Sequence, residues 1–210
     1  MRPQSTATAT IDRTGVVAVV AIGAIVATLC DASHVLTGTI SYGPGARIGQ
    51  PWWVLPEFAL SFFAMSTGYV VVSAGLSSIV ATTQSRTPGS ARAFVVALLA
   101  FVLVYLGSGL ASQQPALLSW VFYLAFLLRL AMSYERAWLL ILALLMASGG
   151  MLGEGLVASA GLAAYRHADV FHVPLWLGGL YMHGAFALRE SMRCLAYRSG
   201  DPAPRGGPAT

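Results

Sequence analysis

Apolar residues in this chain gather into six long stretches, and most charged residues fall between them. A helix rising ~1.5 Å per residue needs ~20 residues to cross a bilayer's hydrocarbon core. A barrel strand needs only ~9–11. Runs of the observed length are therefore read as helices. The pattern places six of them at Thr14–Leu36, Pro51–Ala81, Arg92–Ala111, Ala116–Tyr134, Ala137–Tyr165 and Pro174–Arg193. Pro51 and Pro56 fall in the opening turns of the second, where the backbone amides have no helical partner to lose. The expected fold is an all-α integral membrane protein: one six-span domain over residues 14–193, with cytoplasmic tails at 1–13 and 194–210. The tails, polar or rich in Pro and Gly, are expected to be disordered. Most connections are short. The loop from Thr37 to Gln50 is longer, and Tyr42-Gly43-Pro44-Gly45 reads as a turn within it.

Composition agrees. Hydrophobic residues make up 57% of the chain and charged residues 10%, too few charges to cover a water-soluble domain. The first stretch follows Arg13, as a signal peptide would, but it runs past a signal core and lacks a small-residue cleavage site. It is read as a transmembrane helix.

All twelve basic residues are arginine, and the net charge is +4. They form no stripe, which argues against a nucleic-acid partner. Their distribution is topological. Ten fall in the tails, loops and helix ends on one side of the six-span plan. Arg47 and Arg166 fall on the other. Arginine collects in cytoplasmic loops, so both termini are expected in the cytoplasm. Cys30 and Cys194 fall at opposite faces on this plan and are read as unpaired thiols.

Helix five carries Ser148, Gly149, Gly150, Gly153 and Gly155. Small residues let helices approach closely in lipid, so helix five is expected at the centre of the bundle. Gly178, Gly179 and Gly184 of helix six suit a similar contact.

Charged or titratable groups at membrane depth need a reason. Asp31, His34, Glu57 and Glu154 fall in one layer on the side away from the termini, and His183 lies near the middle of helix six. A carboxylate–histidine metal or proton site is one reading. Interfacial residues, or carboxyls hydrogen-bonded between helices, are the others. No helical metal-ligand spacing, nucleophile elbow or phosphate loop occurs. The chain is read as non-enzymatic, with no catalytic residue, no metal and no cofactor. Arg129 is expected to snorkel to the near interface. Trp52, Trp53, Trp120, Tyr165, Phe171 and Trp176 are read as one aromatic belt, and Tyr134 and Trp138 as the other. Tyr105, Tyr123 and Tyr181 lie deeper, where a hydroxyl wants a partner.

Three segments resemble the Insig (insulin-induced gene) family of six-span proteins. Pro51-Trp52-Trp53-Val54-Leu55-Pro56 is similar to that family's Trp-Trp-Val-Pro-Pro segment. Tyr134-Glu135-Arg136 resembles its Phe-Asp-Arg between spans four and five. Tyr165, Pro174 and Gly178-Gly179 follow the spacing of its last loop and helix. The resemblance covers most of Thr14–Arg193 and suggests a bacterial homologue. It implies a lipid or sterol-like amphiphile, such as a diacylglycerol-type lipid, held in an intramembrane cavity open to the cytoplasmic leaflet. It also implies a partner-interaction role for Glu135 and Arg136. Leu117 and Leu118 replace polar positions of the family.

The expected ligand-lining set is Phe62, Met65, Phe101, Tyr105, Tyr123, Phe126, Gly149, Gly150 and Gly153, with Phe63 as further apolar surface. The alternative is a metal-dependent lipid-modifying enzyme built on Asp31, His34, Glu57, Glu154 and His183. A permease is disfavoured, since the chain shows no internal repeat. Small-residue faces suit a homo-oligomer, for which a trimer is the expectation.

Overall fold

The computed structural model describes residues 10–43 and 49–199. The expected turn residues Pro44 and Gly45, with Arg2, Arg47 and Arg205, lie outside the described residues. Six α-helices form one bundle: α1 (Arg13–Leu36), α2 (Val54–Gly75), α3 (Ala91–Ala111), α4 (Pro115–Ala131), α5 (Arg136–Ser159) and α6 (Trp176–Ser191). A π-helical turn, Met192–Ala196, prolongs α6, and a 3-10 turn, Gln84–Arg86, lies between α2 and α3. Local chemistry sets the starts. The Asp12 carboxylate accepts the Thr14 amide at 2.9 Å, and Ser90 Oγ accepts the Ala93 amide at 3.2 Å, which satisfies amides with no helical partner. Pro115 opens α4, where its missing N–H costs nothing.

α1, α2, α3 and α5 are long and apolar enough to cross a membrane. α4 is apolar over 17 residues. α6 is less apolar because it meets protein instead of lipid. Of its 16 residues, all but Tyr181 and Met182 are buried. It packs directly on α3, α4 and α5. The central helix is thus α6, not helix five. Glycine density in helix five points to a cavity, described below.

Lipid offers little hydrophobic drive between helices, so packing and hydrogen bonds must hold the bundle. One apolar cluster, at the end that carries the termini, joins Phe126, Trp138, Leu139, Phe186, Met192 and Tyr197, with Tyr69 of α2 edge-on to Trp138. A second, at the far end, joins Phe101, Tyr105, Phe122, Trp176, Leu177 and Leu180. A third fastens α2 to α1 through Ala24, Ala27, Val54 and Phe58. Trp138 and Trp176 therefore belong to the core, 0% and 1% exposed, not to aromatic belts. Trp52, Trp120 and Phe171 are exposed, as a belt requires.

Polar groups inside the bundle find one another. Arg129 does not snorkel outward. Its Nη1 reaches His183 Nδ1 at 2.9 Å, its guanidinium lies 4.1 Å over the Phe186 ring, and His183 Nε2 donates to the Phe122 carbonyl at 3.1 Å. A second network sits where α6 meets the α4–α5 turn. Glu190 accepts from Arg189 Nε at 3.0 Å, Arg193 Nη1 at 2.8 Å and the Tyr134 hydroxyl at 2.7 Å. Burial, and then the Glu190 carboxylate, push the Tyr134 hydroxyl up to about 12 against the pull of Arg189, so it stays a donor.

Three helices end three or more residues earlier than the pattern predicts, α4 at Ala131 instead of Tyr134. α2 stops at Gly75 instead of Ala81. α5 stops at Ser159 instead of Tyr165 because Gly161 turns the chain at φ 73°. Ala163–Tyr165 (β3) then pairs antiparallel with Ile40–Tyr42 (β2), Ile40 opposite Tyr165. This ribbon ties the two far-end loops together. At the other end Thr10–Ile11 (β1) pairs antiparallel with Tyr197–Arg198 (β4). The expected disordered tails are thus ordered next to the bundle, and both ends of the described chain lie on the same side. The remainder of each tail, 1–9 and 200–210, is outside the described residues.

Candidate ligand cavity

Where α6 faces α1 and α2 it meets a cavity of about 250 Å³ instead of another helix. α1 meets the α6 strand of chain at both ends: Gly15 lies against the Leu195–Ala196 backbone with no room for a Cβ, and His34 stands edge-on to Trp176 at 5.7 Å. Between these contacts the cavity separates the two. Val19, Gly23, Val26 and Ala27 of α1 form one wall, and Gly184, Ala187 and Leu188 of α6 the opposite one. Phe94, Leu98, Phe101 and Tyr105 of α3 close one side. Phe58, Phe62 and Met65 of α2, with Met146, Gly149, Gly150 and Gly153 of α5, close the other.

Seven of the nine residues expected to line a ligand site do line this cavity: Phe62, Met65, Phe101, Tyr105, Gly149, Gly150 and Gly153. Tyr123 and Phe126 do not. The Tyr123 hydroxyl turns to the Leu175 carbonyl at 2.8 Å, and Phe126 packs edge-on to His183 and Phe186 in the core. α4 lies behind α6, so nothing on it reaches the cavity. Phe63 points outward and is exposed.

The glycines divide by what a side chain would meet. A Cβ on Gly150 would stand 2.5 Å from the Tyr181 ring. One on Gly178 would stand 2.7 Å from Tyr123 Oη and 2.8 Å from Met151 Sδ. Those positions pack. A Cβ on Gly149 or Gly153 would meet nothing within 4 Å. These two form an open stretch of wall, not the helix contact their spacing suggests. Gly149 is also exposed. There the cavity reaches the surface along the seam between α5 and α2, which touch only sparsely. At ~1.5 Å per residue, Gly149 lies ~20 Å from the start of α5.

Polar groups concentrate at the far end. Glu57, Glu154, Tyr105 and Tyr181 line the cavity there. Tyr181 donates to Glu154 Oε1 at 3.0 Å. Just outside, Asp31 Oδ2 accepts from the Tyr42 hydroxyl and from Gln50 Nε2, each at 2.6 Å. Burial raises the Tyr42 hydroxyl far above its ordinary range, and the carboxylates of Asp31, Glu154 and Glu57 raise it further. Tyr165 on β3 is raised in the same way, first by burial and then by Glu154, with Tyr181, Tyr105 and Asp31 adding to it. Three carboxylates and several phenols thus converge under the β2–β3 ribbon, in the layer the sequence suggests.

The histidines stand apart from them. His34 Nε2 bonds Ser108 Oγ at 2.7 Å and its ring faces Tyr105, while His183 is engaged by Arg129 and Phe122. Among the described residues no three His, Cys, Asp or Glu side chains come close enough together to hold a metal ion. The set Asp31, His34, Glu57, Glu154 and His183 is not one site. Cys30 and Cys194 are both unpaired. Glu135 is occupied within the chain: its two carboxylate oxygens accept the Gln84 amide at 2.7 Å and the Ser85 amide at 2.8 Å. Arg136 Nε donates to the Ser133 carbonyl at 3.1 Å.

Sequence reasoning missed the α1 and α6 walls. Their signal is small residues facing across a gap, Gly23 and Ala27 against Gly184 and Ala187, which in sequence look like ordinary packing positions.

Two solved chains share this architecture. One is a mycobacterial Insig homologue, MvINS from Mycobacterium vanbaalenii, with a TM-score of 0.68 at 19% identity over 88% of this chain and 95% of that one. The other is an arginine-to-cysteine variant of MvINS cross-linked as a trimer, with a TM-score of 0.66 at 19% identity over 87% and 95%. This chain therefore has the fold of a bacterial Insig homologue. No protein-family model matches it, and no curated protein matches it in sequence.

Proposed function

We propose that this chain is a non-enzymatic membrane protein that holds one lipid or sterol-like amphiphile between its helices, as the Insig-like fold suggests. The observation that carries this reading is the gap between α1 and α6. A bundle with no ligand gains most by closing its helices together, because lipid supplies packing only at the outside. Here the central helix leaves one face to an apolar hollow of about 250 Å³, just under the roughly 300–1,000 Å³ of typical ligand pockets. The alternative metal-dependent lipid enzyme is the weaker reading, since four of its five residues, all but Glu57, are held by different partners. The test is to extract the purified protein in mild detergent and identify bound lipid by mass spectrometry. One defined species near one per chain is expected, and a sample of bulk membrane lipid would overturn the reading.

The membrane is taken to be a bacterial inner membrane with both termini in the cytoplasm, supported by the arginine bias. A homo-oligomer, a trimer as for cross-linked MvINS, is the proposed assembly. Light scattering of the detergent-solubilised protein checks it.

A further inference from the structure

We propose that the far end of the cavity receives a protonated amine, so that the amphiphile held there has a basic nitrogen in its head. This rests on the reading of the cavity as a lipid site and adds its head-group chemistry.

The argument is one of unmet hydrogen bonds. Glu57 lines the cavity and accepts no hydrogen bond from the described residues. Glu154, 9% exposed, accepts from Tyr181 at 3.0 Å and also faces the Tyr165 hydroxyl, so Glu57 is the carboxyl left open to the hollow. Tyr105 is an independent sign of a ligand. It is 6% exposed and lines the same cavity, yet its hydroxyl has no partner among the described residues. Buried hydroxyls and carboxylates left in this state are costly, and native proteins rarely leave them so.

The sign of the missing group follows. Two carboxyls in one low-dielectric hollow must either hold a proton or take a cation between them, and an ammonium both neutralises and donates. Among the described residues the salt bridges all lie at the other end, on Glu190 and Asp12. Arg166 is the described arginine nearest in sequence to this end. It gives Nη2 to the Thr37 carbonyl at 3.1 Å. A primary ammonium carries three N–H donors and no acceptor. Two carboxylates and a phenol oxygen are the acceptors it needs. A neutral hydroxyl head brings only one donor. The remaining walls are apolar and suit a hydrocarbon tail.

The test compares oleylamine with oleyl alcohol, which share one tail, by thermal unfolding of the full chain at fixed mole fractions in a nonionic detergent. A ligand that binds the folded state raises the midpoint according to its affinity. The amine should bind roughly tenfold or more tighter than the alcohol, the effect expected of a charge-assisted hydrogen bond in a dry site. Glu57→Gln, which breaks no bond within the described chain, should bring the two ligands within about threefold of each other. Tyr105→Phe, which removes a single oxygen, should weaken the amine more than the alcohol. Alcohol binding equal to or tighter than amine binding would overturn the proposal while leaving the lipid reading standing. Failure of both ligands, with no lipid in the extract, would overturn both. Amine selectivity that appears only in Arg47→Gln would also overturn it, by assigning the place to the chain's own guanidinium.

Discussion

A single methyl group separates the two kinds of glycine in this bundle. Gly178→Ala drives a Cβ into Tyr123 Oη and Met151 Sδ. It should cost about 1–3 kcal/mol, as overpacking does, read as a lowered unfolding midpoint. Gly149→Leu places its side chain in open cavity wall. It should fold with near-parental stability and lose the bound lipid in the mass-spectrometric extract. The carboxylates of Glu190, on α6, and Glu135, just before α5, behave differently again. Glu190→Ala strands Arg189, Arg193 and the Tyr134 hydroxyl, and should cost about 3–5 kcal/mol in chemical denaturation, the scale of a broken buried pair. Glu135→Ala frees the Gln84 and Ser85 amides. It should cost about 1.5–3 kcal/mol and speed amide exchange over residues 82–86. At this scale the sequence was a good guide to apolar residues beside small ones, such as Phe62 and Gly153. It misjudged Tyr123 and Phe126 because period and depth say nothing of azimuth: a helix shows its residues all round, and which face meets the hollow depends on where its neighbours stand.

Helices were legible as elements and their centre was not. Five of the six predicted starts fall within two residues of those observed, because Asp12, Ser90 and Pro115 write caps into the sequence. The ends were harder. Ala163–Tyr165 has no period of its own, and it leaves the helix because Ile40–Tyr42 offers it a partner distant in sequence. α6 was overlooked as the core because its polar residues lower its hydropathy. Yet that is the clue: a span carrying His183, Arg189 and Glu190 can stay in the membrane only if other helices surround it and supply partners. Such networks respond to pH. The Tyr134 proton is held more firmly in the fold than in the unfolded chain, where the value is about 10. A raised value means that its contribution to stability is complete below about pH 10 and lost as pH climbs toward 12. Thermal unfolding across that window should show the loss, and Tyr134→Phe should flatten it in part, since Tyr42 and Tyr165 titrate in the same sense.

For the molecule as a whole, the even number of helices brings the two ends together, and β1 with β4 fastens them. Cys194 is half-exposed beside that junction, while Cys30 is buried in α1. A membrane-impermeant thiol reagent should therefore label Cys194 in inverted vesicles and leave it untouched in intact spheroplasts. A cysteine at Ser159, exposed at the far end, should give the opposite result. The arginine count predicted this orientation, and the pairing of the ends adds that the two must share one fate. The existence of a hollow, by contrast, was never visible in composition, since an empty space leaves no letter in a sequence.

The sparse seam between α2 and α5 has a kinetic consequence. α2 leans on α1 and is fastened to α5 chiefly by Tyr69 against Trp138. A tenant that slips in sideways past Gly149 never crosses the aqueous phase. Its exchange would then follow the make-up of the surrounding leaflet, and washing the cells would not empty the seat.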